Sequence, residues 1–110
     1  MINVKFFVLN SGEIVGFDIL GHSGYSEIGT DIVCAAVSSA AYMAVNTLTE
    51  VVKVPVDVIV RDEGQMRAVI DSKNVKLCSD ILKGFKLHLQ SLEETYPKNI
   101  KVSYAEVQQC

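Results

Sequence analysis

GHSGYSEIGTDIVCAAVSSAAYMAV, residues 21–45, sets out the chain's plan. Its first ten residues carry Gly21, Gly24 and Gly29, around which no regular element persists. Beyond them apolar residues recur at helical spacing, and the spacing predicts a helix over residues 31–53. Thr30 or Asp31 supplies its N-cap, and Pro55 closes it, because the residue before a proline is biased out of the helical region. On a helical wheel Asp31, Ser38, Ser39, Tyr42, Asn46, Thr49, Glu50 and Lys53 share one side. Ile32, Val33, Val37, Ala41, Met43, Leu48 and Val51 are among those that fill the rest. Cys34 stands on the border, one turn before Ser38, and is expected to face a cleft instead of the core.

Outward from that helix the pattern changes to strands. Residues 2–10 and 13–21 are strand candidates joined by the turn SGE, and Gly16 is a candidate bulge. Residues 56–61 and 65–71 form a second hairpin around DEG. A second helix covers residues 73–96, with Ser72 or Asn74 as cap. Its apolar stripe is Val75, Cys78, Ile81, Leu82, Phe85, Leu89, Leu92 and Tyr96. A last strand covers residues 100–107. The order is ββαββαβ. It predicts an α+β fold, two helices packed on a mainly antiparallel sheet, in one domain over residues 1–110.

Composition narrows the function. Of 110 residues 49% are hydrophobic and the net charge is −3, with no Lys/Arg-rich run. A nucleic-acid binder needs a basic footprint, so direct nucleic-acid binding is not expected. No signal-peptide pattern is read at the N-terminus, and the most apolar segment, residues 32–48, is interrupted by Ser38, Ser39, Tyr42, Asn46 and Thr47. A cytoplasmic protein with no membrane partner is expected. The three cysteines, Cys34, Cys78 and Cys110, are widely spaced, which fits neither a disulfide framework nor a structural zinc site.

Two histidines exist, His22 and His88. Cys34 in the first turn is expected to meet unpaired N–H groups and the positive end of the helix dipole. Both favour a thiolate and offer donors to an oxyanion. His22 lies twelve residues earlier, on a loop long enough to fold it over Cys34, as a nucleophile–base pair requires. Spacing alone leaves open the alternative of a solvated loop histidine and a packing cysteine. Cys78 falls on a buried stripe, Cys110 is terminal, and His88 edges the second helix's stripe. Asp62, Glu63 and Asp71 read as turn and strand-edge solubilisers. Glu27 and Asp31 flank the loop, and either is placed to orient His22, although Asp31 suits a cap.

With Gly21, His22, Gly29, Asp31, Ile32, Val33, Cys34, Ala35, Ala36, Val37 and Ser38 in this order, the stretch resembles the ribosomal-processing cysteine proteases of bacteria, the Prp family. Ser23 departs from the alanine frequent in that family. The resemblance implies a homodimeric cysteine endopeptidase with His22 as base and Cys34 as nucleophile, Asp31 and Ser38 in support, and no metal or cofactor. The implied substrate is the N-terminal extension of a large-subunit ribosomal protein of the L-twenty-seven type, cut near an aromatic-rich segment that precedes a basic run. The loop of Gly21, Gly24, Tyr25, Ile28 and Gly29 is expected to act as a substrate gate, with Tyr25 and Ile28 beside the substrate's aromatic residues. Two other classes fit the residues: a non-proteolytic thiol enzyme for acyl transfer or redox, and a catalytically silent ribosome-assembly module.

Overall fold

Alternation in INVKFFV puts Ile2, Val4 and Phe6 on one face of a strand, and all three are buried. This strand is β1 (Ile2–Val8) of a computed structural model that describes every residue except 23, 28–30, 62–63 and 110. The other elements are β2 (Ile14–Leu20), α1 (Ile32–Asn46), β3 (Val56–Arg61), β4 (Gln65–Ile70), α2 (Val75–Thr95) and β5 (Ile100–Glu106). The sheet order is β3-β4-β2-β1-β5. Only the β1–β5 pair among these strands is parallel, so the fold is α+β with two helices on a mainly antiparallel sheet.

Both expected hairpins are present. Between β1 and β2 the chain turns at Gly12, whose φ of +89° suits glycine, and Leu9 and Glu13 close the turn by an N–H to carbonyl bond of 2.9 Å. The register slips where Phe7 faces Gly16 and Val8 faces Ile14, so Val15 is the extra residue of a bulge. Gly16 has a second reason to be glycine: a Cβ there would lie 2.3 Å from the Ala68 carbonyl oxygen of β4.

Helix α2 uses its stripe as the period demands. Val75, Cys78, Leu82, Phe85 and Leu89 are buried in one core cluster with the inward residues of the sheet. Phe85 meets Phe17 at 4.7 Å between ring centroids and Phe6 edge-on at 5.7 Å. Burial of each such ring contributes on the order of 2–3 kcal/mol. The cap differs from expectation. Asp71, not Ser72 or Asn74, accepts the Lys73 N–H, and a 3-10 turn (Ser72–Asn74) leads into the helix. Asn74 occupies the cap position without a side-chain bond, because the carboxylate three residues earlier already serves the turn.

Helix α1 buries Val33, Val37, Ala41, Ala44 and Val45, and exposes Ile32 and Met43 against the wheel reading. It does not run unchanged to residue 53. At Thr47–Val52 the helix widens to a π turn, ended by Lys53 in the left-handed region with φ +64°. The hydroxyls of Thr47 and Thr49 bond the carbonyls of Met43 and Val45 there, a competition with the helix ladder that accompanies such distortions. The joined helix Ile32–Val52 is long and apolar enough to cross a membrane by length and composition alone. In this fold its inward residues belong to the core cluster.

Candidate active site

The site is built where β2 ends and α1 begins. Gly21 leaves β2 with φ +100°, and a Cβ on it would lie 2.6 Å from the Met1 carbonyl oxygen. Only a glycine lets the chain turn this close to the start of β1. His22 follows and is exposed.

Across the gap, Asp31 caps α1. Its Oδ1 accepts the N–H groups of Val33 and Cys34, both at 3.0 Å, and its carbonyl accepts that of Ala35 at 3.1 Å. Asp31 is buried. These bonds overturn the expectation of unpaired first-turn donors around the cysteine. The carboxylate occupies the N–H groups of Val33 and Cys34, and its negative charge lies at the positive end of the dipole. Of the two cap candidates, Thr30 lies outside the described residues.

Cys34 is half-buried. It lines two cavities, each of about 310 Å³, and His22 and Ser38 line both with it. The first cavity has an apolar wall that includes Ile19, Val37, Tyr42, Val60 and Met66. The second is shallower in side-chain size, with Gly24, Ser26, Asp31 and Ala35. The fold therefore brings His22, Asp31, Cys34 and Ser38 to one place, with Gly21 on the first cavity and Gly24 on the second. Tyr25 is directed elsewhere: its ring packs edge-on against Tyr96, after α2, at 5.6 Å. Ile28 and Gly29 lie outside the described residues. Sequence reasoning missed the contribution of the β3–β4 hairpin, which brings Val60, Arg61, Gly64, Gln65 and Met66 to the first cavity. Only the turn signal DEG pointed to that end of the hairpin, and nothing in it names a neighbour forty residues away.

The remaining titratable candidates are separate. Cys78 is fully buried in the core, and burial pushes its thiol up from the ordinary value of 9.0. His88 is exposed on a groove between α1 and α2, together with Met43 and Phe85. Among the described residues no group of three His, Cys, Asp or Glu is arranged to hold a metal ion.

A family model described as cysteine protease Prp matches residues 1–101. The chain belongs to the cysteine protease Prp family. A ribosomal processing cysteine protease Prp of Staphylococcus aureus is 32% identical over 107 residues, 94% of this chain and 99% of the relative. A crystal structure of the essential Prp of S. aureus with a covalently linked product peptide superposes with a TM-score of 0.89 at 29% identity, covering 96% of this chain and 100% of that one. Another, with a substrate peptide, gives 0.84 at 28% identity over the same shares. The protein is thus a Prp-type cysteine protease, a thiol hydrolase of the ribosomal-processing kind.

Proposed function

We propose that this Prp-family protease removes the N-terminal extension of a large-subunit ribosomal protein of the L-twenty-seven type, with Cys34 as nucleophile and His22 as base. The observation that carries this reading is that His22 and Cys34 line the same two cavities, on the two sides of the glycine-bearing loop that joins them. Structures of the S. aureus relative with substrate and product peptides support a peptide substrate.

His22 takes the proton of the Cys34 thiol as sulfur attacks the scissile carbonyl carbon, giving a tetrahedral oxyanion. Collapse breaks the C–N bond, and His22 returns the proton to the departing amine. A thioester remains on Cys34. Water, deprotonated by His22, then attacks the thioester, the carboxylate product forms, and the thiol is restored. Because Asp31 holds the Val33 and Cys34 N–H groups, the Ser38 hydroxyl is the supporting donor at hand for the oxyanion. Asp31 supports the site by fixing the turn that carries Cys34. The apolar first cavity suits the aromatic side chains of the substrate. The net charge of −3 also favours a basic partner.

The same reading makes the enzyme a cytoplasmic homodimer, acting where ribosomal proteins are made, with no direct nucleic-acid or membrane contact and no cofactor. It is tested by incubating the enzyme with a peptide that spans an extended ribosomal-protein N-terminus and following products by mass spectrometry. Cleavage between the aromatic segment and the basic run is expected. An intact peptide, with a thiol that still acylates from small thioesters, favours the acyl-transfer alternative.

A further inference from the structure

We infer that Gly64 is a positioning residue for the base, and that the β3–β4 hairpin limits where the His22 ring can lie. This inference rests on the assignment of His22 as base.

Gly64 precedes Gln65, the first residue of β4, and has φ +72°. A Cβ built on it would lie 2.9 Å from the Gly21 carbonyl oxygen, 3.2 Å from His22 Cε1 and 3.5 Å from His22 Nδ1. Contacts of the first kind do not occur for real side chains, and the second forces a neighbour to give way. A side chain at residue 64 would thus press on the Cε1 and Nδ1 atoms of the imidazole, and glycine leaves that space to the ring.

Turn chemistry explains only half of this. A glycine in the left-handed region is the common closing residue of a short hairpin loop, and Gly12 plays that part between β1 and β2 with φ +89°. Gly12, however, has open space where its Cβ would be. Gly64 differs in what it touches. The same corner is closed from the other side, where Gly21 meets the Met1 carbonyl. His22 is exposed, and among the described residues no hydrogen bond holds its ring, so the space left at Gly64 is what bounds the ring's position on that side.

The test compares Gly64→Ala with Gly12→Ala, which carries the same backbone strain without the contact. Gly64→Ala is expected to lower kcat by about tenfold to a hundredfold with a smaller change in KM, because the base is displaced while the other residues of the first cavity, which Gly64 also lines, stay in place. Gly12→Ala is expected to keep both constants. Folded Gly64→Ala with the kcat of the parent overturns the inference. Should Gly64→Ala not fold, the parent protein decides: a nuclear Overhauser contact between the His22 Hε1 proton and the Gly64 Hα protons supports it, and its absence overturns it. His22→Ala runs alongside. If that variant turns over normally, the base assignment itself fails and the positioning role with it. If it is inactive while folded Gly64→Ala is normal, only the positioning role fails.

Discussion

Asp31 holds the backbone N–H of Cys34 at 3.0 Å, so the residue that caps α1 also fixes the backbone that carries the sulfur. Removing the carboxylate in Asp31→Ala frees the Val33 and Cys34 donors and is expected to cost about 1 kcal/mol of stability, with slower turnover. Asp31→Asn keeps an acceptor and is expected to stay within about 0.5 kcal/mol of the parent. Urea unfolding of both variants checks the cap, and an equal loss in both contradicts it.

Cys34→Ser and His22→Ala are each expected to lower peptide cleavage by several orders of magnitude while the fold persists. Neither residue is in the core cluster of buried side chains, so circular dichroism and melting should match the parent closely. Rapid cleavage by folded Cys34→Ser protein contradicts the nucleophile assignment.

The thiols should separate by environment. In a Cys110→Ser background at neutral pH, iodoacetamide is expected to label Cys34 and leave Cys78, which is fully buried and held protonated by desolvation. Cys78 also gives stability a pH slope. Its folded thiol titrates above the ordinary value of 9.0, so the unfolded chain ionises first and the folded state loses ground as pH rises from about there. Cys78→Ala should flatten that alkaline decline, measured as the urea midpoint against pH. An unchanged slope removes Cys78 as its cause.

Gly24 has φ +73° and open space around it, whereas proline is locked near −65°. Gly24→Pro is therefore expected to redirect the loop between His22 and Cys34, and to slow turnover at least about tenfold, with a smaller loss of stability because the residue is exposed. Steady-state kinetics beside a melting curve checks this. A variant that melts early but cleaves normally shows a loop with a structural role alone.

Most of the architecture was legible because it rests on local periods. The stripe from Val75 to Leu89 and the alternation of Ile2, Val4 and Phe6 each point one way whatever surrounds them. The boundary of α1 was less so, since the π turn at Thr47–Val52 keeps helical composition while changing its hydrogen bonds. In the site, the meeting of His22 and Cys34 on shared cavities followed from one short loop. Asp31 was a legible cap candidate beside Thr30, and its bonds to the Val33 and Cys34 N–H groups follow from that place. Two things were beyond reach of the sequence. The packing of Tyr25 on Tyr96 depends on where α2 ends. The approach of Gly64 to His22 depends on the β2–β4 register, a long-range pairing that neither strand declares alone.

The parallel pairing of β1 with β5 joins Ile2 to Ile100 and Val8 to Glu106, the first of the described strands to the last. During synthesis β1 can pair with β2 once both have emerged, but its other edge stays open until β5 follows. That edge belongs to an interior strand rich in apolar residues, and an unpaired edge of this kind invites pairing with other chains. The sheet accordingly closes only once β5 has been made. A chain halted before β5 carries both His22 and Cys34, yet it has an unclosed sheet beneath them.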